Sequence, residues 1–347
     1  MTDTATAPKG INVPNVTAWM TENIEGVEAA NGPLTFTMIT GGHSNLTYKA
    51  EDANGKKFVL RRPPTGAVLA TAHDMGREYK IISGVGKTKV PVPPALGLCT
   101  DESVNDAPFY VMGYVEGQVV ETATTSQDIF DMQARGRVGA SLIEVIANLH
   151  MVNPDDVGLG DLGRKEAYLS RQIRRWTKQW EGSKTKELPL MEEVGQGLTE
   201  KMPEQLYTGI VHGDYRIGNT MTTPDGEIAA VLDWELCTLG DTMADLGYIA
   251  NDWSGRWQAS GTPESPNEKA AEGYKSLAEL TDLYSELTGR DVTDVNYYRA
   301  FQCWRLAAIV QGVLARYLKG VMGQEMDVTP FEIRVEALAK EAATLLG

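Results

Sequence analysis

The chain has 347 residues, 42% hydrophobic and 23% charged, an ordinary globular balance in a length that suits two lobes better than one core. Its 47 acidic against 32 basic residues, a net charge of −15, argue against a protein that neutralises the phosphates of a nucleic-acid duplex. No apolar run reaches the roughly 18 residues that span a bilayer, residues 1–14 lack the apolar core of a secretory signal, and Cys99, Cys237 and Cys303 show no CxxC spacing. A cytoplasmic protein with reduced, buried thiols and neither nucleic acid nor membrane as partner is expected.

Val16, Trp19, Met20 and Ile24 recur at helical spacing, and the pattern then changes to period two through Leu34, Phe36 and Met38. Asn54-Gly55, between apolar stretches at 46–50 and 58–60, predicts a hairpin because both residues tolerate positive φ. A helix over about 70–83 follows the Pro63-Pro64 turn, and strands are predicted over 95–99 and 109–115. The chain to residue 115 therefore reads as a five-stranded lobe with one internal helix.

From Ser126 onward the period is 3.6, with Val138, Leu142, Val145 and Leu149 on one stripe and further helical patterns over about 164–181, 266–288, 293–320 and 330–346. Residues 116–347 form a mainly helical lobe, interrupted by a β-rich island at 210–234 that turns at Pro224-Asp225-Gly226.

That island carries the chemistry. It reads His212-Gly213-Asp214-Tyr215-Arg216-Ile217-Gly218-Asn219, followed by Val231-Leu232-Asp233-Trp234. Phosphoryl transfer needs a carboxylate to orient the attacking hydroxyl, which Asp214 supplies, and hard oxygen ligands for Mg²⁺, which Asn219 and Asp233 supply. The interval from Asp214 to Asn219 is that of the kinase catalytic loop, and Asp233 begins the position of the kinase D-F-G. Taken alone, His212-Gly213-Asp214 reads as a turn with a capping Asp; Asn219 and Asp233 at kinase spacing change that reading. His212 and His150 read as structural, bracing their surroundings rather than moving protons.

With these motifs the chain resembles the aminoglycoside phosphotransferase and choline-kinase-like superfamily over nearly its whole length. The resemblance implies an α+β, bilobal protein-kinase-like fold, with a β-rich nucleotide-binding lobe over 1–115, a helical lobe over 116–347 holding the catalytic loop and acceptor pocket, and ATP between them. It places Gly41-Gly42-His43-Ser44-Asn45 at the phosphate-covering turn, with Gly41, Gly42, Ser44 and Asn45 as nucleotide contacts. Arg61 falls where the third-strand Lys is usual, and Glu78 on the next helix would pair with it. Residues 109–114 resemble the hinge that bonds adenine, with Met112 and Tyr114 as contacts. Gly240-Asp241 and Asp245-Leu246-Gly247 resemble the family's Gly-Asp-Pro…Asp-Leu run, with Thr242 in place of Pro; Asp241 would cap a helix and steady the catalytic loop. Leu60-Arg61-Arg62-Pro63-Pro64, the stretch from Ala72 to Tyr79 and Phe109-Tyr110-Val111-Met112 are similar to the kinase-like domain fused to some acyl-CoA dehydrogenases and its free-standing bacterial relatives. The implied activity is ATP- and Mg²⁺-dependent phosphorylation of a hydroxyl on a small molecule, such as a hydroxyacyl-CoA. An aminoglycoside O-phosphotransferase and a nucleotide-binding pseudokinase, for which Arg61 would mark lost catalysis, are the alternatives.

Arg171, Arg174, Arg175 and Lys178 recur at i, i+3, i+4 and i+7, with Trp176 and Trp180 on an adjacent arc. They form either a solvated basic face over core tryptophans or an anion-binding wall of the acceptor pocket.

Overall fold

A computed structural model describes residues 8–39, 45–66, 74–121, 126, 128–254, 272–320 and 326–347. The chain divides into two compact units, Met1–Glu116 with Ala230–Glu235, and Gly117–Ala229 with Leu236–Gly347.

In the first unit helix α1 (Val13–Asn23) precedes strands β1 (Thr35–Met38), β2 (Leu46–Glu51) and β3 (Lys57–Arg62). Helix α2 (Met75–Val85), β4 (Ala95–Cys99), a short helix α3 (Glu102–Asn105) and β5 (Phe109–Gly113) follow. The five strands lie in the order β1-β2-β3-β5-β4, every neighbour antiparallel. The β2–β3 turn works because Gly55 has φ 82° and the Asp52 carboxylate accepts the N–H groups of Asn54 and Lys56, each at 2.9 Å. One face of the sheet buries Tyr48, Ala50, Phe58, Leu60, Phe109 and Val111 against Val16, Met20 and Ile24 of α1. The helix expected from about residue 70 starts, within the described residues, at Met75. Asp74 caps it by accepting the Arg77 N–H at 2.9 Å.

The second unit holds helices α4 (Met132–His150), α5 (Tyr168–Ser183), α6 (Pro189–Glu200), α7 (Met243–Ser254), α8 (Leu277–Thr288), α9 (Val295–Leu318) and α10 (Thr329–Leu346). Its strands are β6 (Thr208–Val211) and β9 (Thr238–Asp241), an antiparallel pair, and β7 (Thr220–Thr222), while β8 (Ile228–Val231) begins in this unit and ends on Ala230 and Val231 of the first. The pattern read as helical from residue 266 has its described helical part only from Leu277. There a capping box between Ser276 and Glu279 satisfies the first orphan N–H groups. Neither helix α6 nor strand β9 was among the expected elements, although Pro189 opens α6 and Met191, Val194 and Leu198 recur at i, i+3 and i+7. Each is four to twelve residues long and is stabilised by neighbours distant in sequence. All three cysteines are buried free thiols, and no described helix is long and apolar enough to cross a membrane.

Candidate active site

In the first unit β3 and β5 set Arg61 opposite Tyr110, while the capped first turn of α2 presents Glu78. Arg61 Nε lies 2.9 Å from Glu78 Oε2, and Arg61 Nη2 lies 2.9 Å from Asp233 Oδ1. Glu78, 4% exposed, also accepts Asn45 Nδ2 at 2.9 Å and the Tyr110 hydroxyl at 3.1 Å. Burial pushes the Glu78 carboxyl above its usual range, with the Arg61 charge opposing. Burial works against the charge of Arg61, yet Glu78, Tyr110, Asp233 and Glu235 together hold its pKa above the ordinary value. The guanidinium therefore serves two carboxylates through different nitrogens, a fork that a single ammonium could not reproduce. Asp233 takes φ 60°, a left-handed conformation that is uncommon outside glycine and that aims its carboxylate at Arg61.

Met112 sits within β5, in register with Val59 of β3 and Ala95 of β4. Tyr114 follows the strand, with Lys57 Nζ 5.1 Å from its ring centroid. Gly41, Gly42 and Ser44 lie outside the described residues.

In the second unit the loop after β6 is anchored from below. The His212 and Gly213 N–H groups donate to the two oxygens of Asp245 at 2.6 and 2.9 Å. Gly213 has φ 87°, and a Cβ there would stand 2.8 Å from the Leu236 carbonyl oxygen, so the turn admits only glycine. Arg305 Nη1 donates to the Gly213 carbonyl at 3.1 Å, and the Asp214 N–H donates to His212 Nδ1 at 3.3 Å. Asn219, at the end of a 3-10 turn, donates Nδ2 to both the Asp214 carbonyl at 2.8 Å and its Oδ2 at 2.7 Å. The Tyr248 hydroxyl is hydrogen-bonded to the Asp214 carboxylate as well. Asp214 is thus a half-buried carboxylate fixed in direction by Asn219 and Tyr248, suited to orient a hydroxyl and take its proton.

The carboxylate that steadies this loop is Asp245, in the first turn of α7, rather than Asp241 as the sequence suggested. Asp241 ends β9 and accepts the Met243 N–H at 3.1 Å and the Tyr298 hydroxyl at 2.7 Å; burial raises its pKa to about 6. Burial also opposes the charge of Asp245, but His150 and the loop N–H groups outweigh it and leave the pKa below the ordinary value. His150 is buried between the Tyr284 hydroxyl at 2.7 Å and Asp245 at 3.3 Å, and burial lowers its pKa, which is the neutral, bracing role of a core histidine.

Helix α5 separates its basic and aromatic residues. Arg174, Arg175 and Lys178 are exposed, whereas Arg171 is half-buried and donates Nη2 to the Arg164 carbonyl at 2.7 Å. Trp180 is 3% exposed and donates its indole N–H to Glu192 of α6 at 3.0 Å, so it packs in the core and offers no face to a ligand. Trp176 is half-buried, and its ring faces the Arg305 guanidinium at 5.5 Å.

The model of the phosphotransferase enzyme family matches residues 35–283 of this sequence. The chain belongs to that family. The phosphotransferase is 33% identical over 297 residues to acyl-CoA dehydrogenase family member 10 of Mus musculus, covering 84% of this chain and 27% of that protein. It is 32% identical over 321 residues to acyl-CoA dehydrogenase family member 11 of Gallus gallus, covering 90% of this chain and 40% of that protein. The phosphotransferase thus spans well under half the length of these curated relatives. Among solved structures, a putative aminoglycoside phosphotransferase from Ralstonia eutropha superposes with a TM-score of 0.81 at 33% identity, covering 95% of this chain and 98% of the other. A macrolide 2'-phosphotransferase from Brachybacterium faecium shares the fold at 19% identity and a TM-score of 0.58, covering 93% and 97%. The architecture is the bilobal kinase-like fold, and the enzyme class is transfer of a phosphoryl group to a hydroxyl of a small molecule.

Proposed function

We propose that this phosphotransferase moves the γ-phosphoryl of ATP onto a hydroxyl of a hydroxyacyl-CoA. The observation that carries the reading is the Asp214–Asn219 pair at 2.7 Å on a loop whose backbone is clamped by Asp245. Asp214 receives the proton of the acceptor hydroxyl as its oxygen bonds to the γ-phosphorus, and the bond to the leaving ADP oxygen breaks. The acceptor class rests on the names of the relatives, which join a region like this one to acyl-CoA dehydrogenases.

The two units divide the work in this proposal, with nucleotide contacts from Asn45, Arg61, Glu78, Met112 and Tyr114 and acceptor chemistry from the unit of Asp214. Asn219 and Asp233 are the proposed Mg²⁺ ligands. The fit is chemical: Asn219 spends its amide nitrogen on Asp214 and so presents Oδ1, a hard neutral donor, while Asp233 supplies a carboxylate already turned by a left-handed backbone. Bound Mg²⁺ would neutralise phosphate charge.

A parallel screen of ATP consumption with hydroxyacyl-CoAs, aminoglycosides and amino alcohols tests the acceptor class. Turnover of an aminoglycoside above every acyl-CoA would overturn it. Asp233→Ala should weaken Mg-ATP binding by about 10- to 100-fold and flatten its Mg²⁺ dependence in calorimetric titration. Unchanged affinity and metal dependence would remove Asp233 from the ligand set. Arg61→Lys should raise the nucleotide KM nearly as far as Arg61→Ala, about tenfold, because the fork to Glu78 and Asp233 is lost in both. A normal KM in the Lys variant would show that a point charge suffices.

A further inference from the structure

Asp233 and Glu235 flank a buried anchor. Trp234 is held inside and donates its indole N–H to the Val231 carbonyl at 3.2 Å, and the left-handed backbone of Asp233 turns the chain just before it. The carboxylates on either side of that anchor meet the same nitrogen. Arg61 Nη2 lies 2.9 Å from Asp233 Oδ1 and 3.9 Å from Glu235 Oε2, the first a close ion pair and the second just beyond hydrogen-bond reach.

The opposite side of the guanidinium is fixed. Its Nε lies 2.9 Å from Glu78 Oε2, and that buried carboxylate is itself held by Asn45 and Tyr110. Toward Nη2 the site opens, with the Asp233 and Glu235 side chains 36% and 25% exposed against 13% for Arg61. Arg61 is therefore pinned at Nε and has two acceptors within reach of Nη2, so a small rotation about the Glu78 contact exchanges one for the other. Nη1 is committed to neither carboxylate; its contact with Thr47 Oγ1 is a long 3.5 Å. All of these residues belong to the first unit.

Asp233 cannot serve Arg61 and a divalent cation equally well. A magnesium–oxygen bond is about 2.0–2.1 Å, so the two cations would repel each other across one carboxylate. Displaced from Asp233, a mostly buried guanidinium keeps its compensation only if another carboxylate takes it up. We infer that Glu235 is a positioning residue that receives Arg61 when Asp233 turns to the metal, and so sets how much Mg²⁺ the nucleotide site needs. This assignment rests on the reading of Asp233 as an Mg²⁺ ligand.

Calorimetric titration of ATP into the full chain at a series of free Mg²⁺ concentrations tests the handover. Glu235→Gln should raise the Mg²⁺ needed for the half-maximal gain in ATP affinity about tenfold. In an Arg61→Met background, with no guanidinium to hand over, adding Glu235→Gln should move that concentration by less than about twofold. Arg61→Met should also bind Mn²⁺ without nucleotide about tenfold more tightly than the unmodified protein, followed by electron paramagnetic resonance, because Asp233 no longer holds a resident cation. Arg61→Met leaves Glu78 buried without its counter-ion, so both comparisons are repeated with Glu78→Gln, whose amide carries no charge and can keep hydrogen bonds to Asn45 and Tyr110. An unshifted Mg²⁺ dependence in Glu235→Gln, or unchanged Mn²⁺ binding on removal of Arg61, would overturn the handover. A full tenfold shift in the Arg61→Met background would overturn it too, by showing that Glu235 acts on the metal directly. If Asp233→Ala leaves the Mg²⁺ dependence intact, the ligand reading fails and the handover with it; if Asp233→Ala abolishes that dependence while Glu235→Gln shifts nothing, the handover alone falls.

Discussion

Asp214→Asn should lower kcat by about 10²- to 10⁴-fold and leave Mg-ATP affinity nearly intact. The substitution is close to isosteric, and the Asn219 amide can still donate to an oxygen at the position it now meets at 2.7 Å. The Gly213 turn, the Asp245 clamp and the Arg305 contact to the loop carbonyl do not involve the Asp214 side chain, so the loop keeps its shape. What disappears is the proton acceptor. The loss should therefore fall on kcat and on kcat/KM alike, the pattern of an interaction made in the transition state. Steady-state kinetics with a separate nucleotide titration check it; near-normal turnover would remove Asp214 from its assigned role.

Asp245→Asn should cost about 3 kcal/mol of stability and lower kcat as well, although Asp245 touches no substrate in the proposed reaction. The fully buried carboxylate accepts two backbone N–H groups, at 2.6 and 2.9 Å, and a ring nitrogen of His150 at 3.3 Å. An amide offers one acceptor oxygen, so its NH₂ would confront a loop N–H, donor against donor, in a fully buried site. The sign with pH follows from the depressed pKa of Asp245. Its stabilisation is fully present above the ordinary carboxylate pKa and is lost as pH falls through the lowered one, so the penalty of the Asn variant should shrink on acidification. Denaturant unfolding at neutral and acid pH, with kcat measured where both proteins are folded, provides the comparison. Equal stability at neutral pH would show that the clamp does not hold the loop.

The fold class and the order of the first strands were legible because their signals are local. Asn54-Gly55 demands a tight turn, period-two runs flank it, and Asp74 caps the helix that carries Glu78. The spacing of Asp214, Asn219 and Asp233 was legible for a similar reason, since a short loop fixes which side chains of its own can meet. Asp241 and Asp245 show where this reasoning stops. Both precede or open α7, both could serve as a cap, and the sequence run that includes them does not say which carboxylate turns toward His212. Only the pairing of β6 with β9 decides it, by placing Asp241 against Tyr298 and Asp245 beneath the loop.

The tryptophans of α5 make the same point. Helical periodicity puts Trp176 and Trp180 on one arc, yet α6 buries Trp180 through Glu192 while Trp176 meets Arg305 from α9. The sequence by itself determined the kinase-like class, the spacing of Asp214, Asn219 and Asp233 and the elements that carry them, since turns, caps and hydrophobic period depend on residues a few positions apart. Tertiary structure alone decided which charges are buried, which have counter-ions and which do not, because desolvation and pairing are set by groups that the chain brings together from a hundred residues away.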